Sequence, residues 1–172
     1  AASELPLHLT PGLTVYPPDV IVKDDGQPYS VFTPFSKAWL KQTRPGRLLP
    51  APERITTSAG LKSDGIPPSP RLSERGIFTA GEKEAQQRLN FFINDALISY
   101  GDLRNRMDLS WTSGLSPYLR FGMLSARQAA AAARAADERA QDSLSRRSAE
   151  TWLNELIWRE FYIAILYHFP YV

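Results

Sequence analysis

The run Trp152-Leu153-Asn154-Glu155-Leu156-Ile157-Trp158-Arg159-Glu160-Phe161-Tyr162 constrains this chain more than any other stretch. It contains neither Pro nor Gly and is rich in good helix formers, which predicts a helix. At about 100° per residue, Glu155, Trp158, Arg159 and Tyr162 share one stripe. Leu153, Leu156, Ile157 and Ala164 share another that reads as core. Glu160 falls among these apolar positions, and the sequence offers no account of it. So little of the helix is plainly solvated that it should lie packed inside a larger body. Its charged groups then need partners, because unpaired buried charge is costly. An internal pair between Glu155 and Arg159 at i, i+4 satisfies that need as well as a functional site does.

The 172 residues suffice for one medium domain, or one domain plus a connector. Of the 14 prolines, 12 crowd into the first seventy positions, so that part reads as extended or looped. Arginines outnumber lysines fifteen to five, yet the net charge is only +2. That balance suits phosphate contacts without demanding them. With no cysteine, disulfides and thiolate metal sites are excluded, and His8 and His168 are too few for a histidine-rich metal site. No run approaches the roughly 18 apolar residues of a membrane span, and no signal-peptide pattern opens the chain. A soluble, intracellular, cytoplasmic protein is the default expectation. The chain opens without Met and stops just past its most hydrophobic helix, as a piece of a longer protein would.

Within residues 1–31, Val20-Ile21-Val22 and Tyr29-Ser30-Val31 flank Asp24-Asp25-Gly26, a hairpin signal. Thr33-Pro34 reads as an N-cap followed by Pro at the first helical position, opening a short helix through about Lys41. Phe35, Ala38 and Trp39 mark its docking side. Residues 44–73, with Pro67-Pro68-Ser69-Pro70 at their centre, read as a connector over a surface. Thr79-Ala80-Gly81-Glu82 is a capping-box pattern that starts a helix to about Ile98, with Ala85, Leu89, Phe92, Ala96 and Leu97 facing a core. Residues 99–116 are expected to form a loop. Ser116-Pro117 opens a helical turn carrying Tyr118, Leu119 and Phe121, which Gly122 ends. A second capping box, Ser125-Ala126-Arg127-Gln128, starts an alanine-rich helix to about Arg139. Residues 141–147 read as a polar turn, and 148–168 as the last helix.

The loop Thr112-Ser113-Gly114-Leu115-Ser116 offers backbone N–H groups and hydroxyls to an anion, with Arg104 upstream and Arg120 downstream. It lacks the spacing of a P-loop and of a GxGxxG turn, and a plain helix cap uses the same residues. No Ser/His/Asp set is credible, since neither histidine adjoins a candidate nucleophile. An aromatic- and arginine-lined cavity beside such a loop suits a bound nucleotide or cofactor better than hydrolysis.

Residues 112–122 and 152–162 resemble two signature segments of the photolyase/cryptochrome family, and 31–39 resemble the segment that follows its N-terminal α/β domain. The wording of 152–162 is nearest to that of bacterial class I cyclobutane pyrimidine dimer photolyases. The resemblance implies a mainly α chain. Residues 1–73 would be the end of an α/β domain and an interdomain connector, and 74–172 the first half of an all-helical FAD-binding domain. The α/β antenna domain and the C-terminal half of the helical domain would lie outside this chain. It further implies FAD held by Tyr100, Thr112, Ser113, Gly114, Leu115, Ser116, Trp152 and Arg159. Glu155 would be catalytic, hydrogen-bonding damaged thymines. Arg104, Trp158, Arg159 and Tyr162 would meet UV-damaged DNA. A second antenna chromophore, of folate or deazaflavin type, would sit on the α/β domain, and the intact protein would act as a monomer. A glutamate in an apolar pocket tends to hold its proton and so could donate to thymine oxygens. A cryptochrome photoreceptor without repair, or a repair enzyme for (6-4) photoproducts, is the alternative that the same resemblance leaves open.

Overall fold

The computed structural model describes residues 12–43, 48–50, 52–57, 60, 62, 64–65, 67–68 and 78–172. His8, Ser69, Pro70 and parts of the connector lie outside the described residues. Among the described residues the order is α1 (Phe32–Lys41), α2 (Glu82–Phe91), a π turn (Phe92–Ala96), a 3-10 turn (Leu97–Ser99), α3 (Tyr100–Leu103), α4 (Ser116–Arg120), α5 (Ala126–Arg139) and α6 (Ser143–His168). No helix among them is long and apolar enough to cross a membrane.

The 26-residue α6 is the spine. It begins five residues before the expected start, because Asp142 caps it by accepting from Ser145 N at 2.8 Å. Residues 143–147 are therefore helical, and their polar character marks a solvated first turn. One side of α6 carries Trp152 into a core built with Ala85, Leu89, Phe92, Tyr100, Leu115 and Tyr118. The opposite side carries Ile157, Phe161 and Ala164 into a second core with Val15, Ile21, Phe35 and Trp39. Leu153 and Leu156 touch both. Two cores on one helix explain why so little solvated face was visible in its sequence. The alanines of α5 divide likewise: Ala129 and Ala133 join the first core, Ala126 and Ala130 the second. Their small side chains let α5 lie close along α6.

Several local expectations are corrected. The Asp-Gly turn forms, with Gly26 at φ +78° and Lys23 N bonded to Gln27 O at 2.9 Å, but pairing stops at the single bridge between Val22 and Pro28. Proline's missing N–H cannot extend a ladder there. Val31, not Thr33, is the N-cap of α1, so Thr33 and Pro34 lie inside its first turn, where an N–H has no helical partner to lose. Neither capping box closes. Gly81 rather than Thr79 caps α2, while Thr79 O accepts from Tyr118 Oη at 2.7 Å. Ser125 is the N-cap of α5 but makes no side-chain cap bond, and Gln128 bonds Gln86 instead of reaching back. The expected 99–116 loop contains α3. Phe121 lies just beyond α4 and is exposed, so the apolar face of that turn is Tyr118 and Leu119 alone.

Helix α3 is fastened to α6 through Ser148. Ser148, fully buried, donates from Oγ to Ile98 O at 3.0 Å and accepts from Gly101 N at 3.1 Å. A Cβ on Gly101 would stand 3.1 Å from that Oγ, tighter than ordinary contact. Gly101→Ala is expected to lower stability by about 1–2 kcal/mol. Combined with Ser148→Ala, which makes room, the loss in a denaturant titration should be smaller than the sum of the two single losses. Strict additivity would show that the contact is not the cause.

Candidate functional site

The first core places the hydroxyl loop and α6 together. Leu115, 1% exposed, anchors the loop beside Phe92, whose ring lies 4.9 Å from Trp152 and 5.4 Å from Tyr100. Trp152 and Tyr100 are themselves buried, so they form a wall behind the loop. In front of it is a cleft of about 340 Å³ lined by Arg88, Phe92, Ser110, Thr112, Ser113 and Gly114, among others. Gly114 takes φ +61°, a conformation that favours glycine, while Ser113 Oγ accepts from Leu115 N at 3.4 Å. Hydroxyls, backbone and a guanidinium around a space of this size fit a phosphate-bearing ligand.

One helical turn beyond Trp152, Glu155 leaves the core. It does not pair with Arg159. Its carboxylate is bonded by Arg104 from the end of α3, with side-chain exposures of 41% and 32%. The pair is thus open to solvent, and Glu155 meets a guanidinium rather than the apolar wall expected. Tyr100 is hydrogen-bonded to Arg104 as well, and burial first, then Glu155's charge, pushes its phenol above the ordinary value. The bond that Arg104 donates to Glu155 holds its guanidinium firmly protonated.

Arg159 points elsewhere. Nη1 donates to Leu13 O at 2.6 Å and Nη2 to Leu119 O at 3.3 Å, so it ties α4 to the N-terminal segment. Burial lowers its pKa, while Glu160's charge opposes that shift. Trp158 stacks on Phe32, with centroids 3.5 Å apart and planes 6° apart, and leans on Tyr162 at 5.6 Å on the same helix. Tyr162 is 59% exposed. The structure therefore gathers Tyr100, Arg104 and Glu155 in one cluster and Trp158 and Tyr162 in a second on the next turn of α6. Thr112, Ser113 and Gly114 line the cleft, and Ser116 begins α4. Arg159 joins neither cluster. Sequence reasoning missed Arg88 and Phe32. Phe32 was within a motif already noticed, whereas Arg88 carried no signal beyond an i, i+4 spacing from Glu84.

Among the described residues, a mainly helical arrangement sets a hydroxyl loop and an acid-bearing aromatic helix on one core. The chain belongs to the photolyase/cryptochrome family. Residues 1–54 match the family model described as DNA photolyase. The chain is 38% identical over 167 residues to the deoxyribodipyrimidine photo-lyase of a Synechococcus species, covering 91% of this chain and 34% of that protein. Against the deoxyribodipyrimidine photo-lyase of Escherichia coli the identity is 33% over 164 residues, covering 91% and 33%. The crystal structure of a class III photolyase from Agrobacterium tumefaciens superposes with a TM-score of 0.74 at 26% identity, covering 92% of this chain and 34% of that one. The chain spans about a third of the length of these relatives.

Proposed function

We propose that this chain supplies the flavin loop and the lesion-facing helix of a light-driven enzyme that splits cyclobutane pyrimidine dimers in DNA. Family membership supports the reading. So does one geometric observation: the Glu155 and Arg104 pair stands open to solvent one turn from Trp152, which is buried against the same core as the hydroxyl loop. In this reading residues 1–73 end an α/β domain and connector, and 74–172 begin the FAD-binding domain. An antenna chromophore of folate or deazaflavin type would sit on the former. The protein would work as a monomer in the cytoplasm.

Reduced FAD, when bound, supplies the electron that blue light promotes to the lesion. Thr112, Ser113, Gly114, Leu115 and Ser116 would hold its pyrophosphate, with Tyr100 and Trp152 bounding the pocket. Glu155 would bond the thymine edges, held in place by Arg104, which would also face a DNA phosphate. Extruding the damaged bases costs a few kcal/mol, least where pairing is already broken. Trp158, braced by Phe32 and flanked by Tyr162, would recover about 1–3 kcal/mol by contact with them. Arg159 would act on flavin and DNA indirectly, by fixing α4 through Leu119 O.

Trp158→Ala is accordingly expected to weaken binding to dimer-containing DNA about tenfold while hardly changing affinity for undamaged DNA. Equal losses on both would remove Trp158 from lesion contact. The function itself is tested by illuminating the intact, FAD-loaded protein with an oligonucleotide carrying one thymine dimer. Blue-light restoration of the two thymines is expected. Flavin photochemistry without restoration would favour a photoreceptor, and restoration of a (6-4) lesion alone would reassign the substrate.

A further inference from the structure

We infer that Arg88 makes the cleft at residues 112–114 select a phosphate-bearing flavin over one without phosphate. The inference rests on the flavin reading above and assigns a residue which that reading did not include. Arg88 lies on α2, and its Nε meets Glu84 Oε1 at 2.9 Å. Its guanidinium stands 5.7 Å from the ring centroid of Tyr118. That ring is fully buried and fixed by the bond from its hydroxyl to Thr79 O, so it is a rigid platform. Nη1 comes within 3.5 Å of where a Cβ on Gly114 would stand. A carboxylate, an aromatic face and a side-chain-free loop position thus hold one guanidinium beside the cleft.

Among the described residues lining that cleft, Arg88 is the one cation. Ser110, Thr112 and Ser113 provide hydroxyls, which orient an anion but cannot neutralise it. The planar fork of arginine matches phosphate oxygens, and the side chain remains 43% exposed. FAD carries a pyrophosphate, and riboflavin carries no phosphate at all. Glu84 is the opposing element. Its carboxylate occupies Arg88 and repels an arriving anion, so ligand and carboxylate compete for the same guanidinium. Substitutions at the two positions should therefore act in opposite directions.

The test measures dissociation constants of the intact protein for FAD and for riboflavin at several salt concentrations. Arg88→Gln is expected to weaken FAD binding about tenfold, to flatten its salt dependence, and to leave riboflavin binding unchanged. Glu84→Gln should tighten FAD binding severalfold and leave riboflavin binding unchanged. If Arg88→Gln weakens both flavins equally, or leaves FAD binding intact, Arg88 is not the phosphate-selecting residue and the flavin reading survives. A weaker FAD complex in Glu84→Gln overturns the competition. A wild-type protein that binds neither flavin overturns the flavin reading and Arg88's role with it.

Discussion

Glu160→Ala is expected to lower the stability of the protein by about 3–5 kcal/mol, the scale seen when one partner of a buried charged cluster is removed. Glu160 is 5% exposed, and its carboxylate accepts from the backbone N–H groups of Val15 and Tyr16 and from Trp39 Nε1 at 2.6 Å. Deleting it leaves these buried donors without an acceptor. Trp39 is fully buried, edge-on to Tyr16 at 5.2 Å and beneath the Arg134 guanidinium at 4.9 Å, so it cannot turn to water for a substitute. Glu160→Gln keeps one acceptor oxygen and should cost less. Denaturant midpoints of the two variants check the order, and equal, small losses would show that the cluster is dispensable.

The same residue gives stability a pH dependence. Burial pushes the Glu160 carboxyl above its ordinary value of 4.5, against the pull of its N–H donors and of Arg159. The folded state then holds this proton at a pH where the unfolded chain has released it. Glu160's contribution is full below the ordinary value, falls as pH rises toward the raised value, and is flat above it. Glu160→Gln should remove that slope, which unfolding titrations at successive pH values would reveal. A slope of unchanged size in the variant would assign it to other groups.

Glu155→Ala in the intact enzyme is expected to lower the repair yield severalfold with FAD still bound. One lost hydrogen bond of about 1.5 kcal/mol sets a ceiling of roughly tenfold for that term alone. The structure adds a second consequence, because Arg104 loses the partner that orients it. Glu155→Gln retains an acceptor for Arg104 and should keep more activity than alanine. Blue-light repair of a thymine-dimer oligonucleotide, with flavin absorbance as the control, separates these outcomes. Repair undiminished in both variants would take Glu155 out of the chemistry.

Much of the scaffold was legible because it depends on near neighbours in the chain. The Trp152 helix, the buried Phe35 and Trp39 on α1, and the alanine stripe of α5 all follow from helical spacing alone. The 112–116 loop was legible as a hydroxyl-rich segment beside a helical turn. What stayed hidden depends on distant partners. Glu160 makes sense only once Val15 and Trp39, 145 and 121 residues away, are in place. Glu155 has a local partner of the right charge at Arg159, yet the fold gives it Arg104 instead, 51 residues distant. The second capping box failed for the same reason: Gln128 found its partner on α2. Local rules propose pairs, and packing decides which of them form.

The π turn at Phe92–Ala96 acts as a phase shifter in the helical run between α2 and α3. Its wider ring accommodates an additional residue, so both Phe92 and Ala96 point inward before Leu97 and Tyr100 do. Winding these same residues into uninterrupted α geometry, with none removed, would turn everything downstream by about 100°. Tyr100 would swing out of the core, Gly101 would lose Ser148, and Arg104 would no longer reach Glu155. Loss of the wide turn at this spot would consequently uncouple the acid from its arginine without altering either side chain.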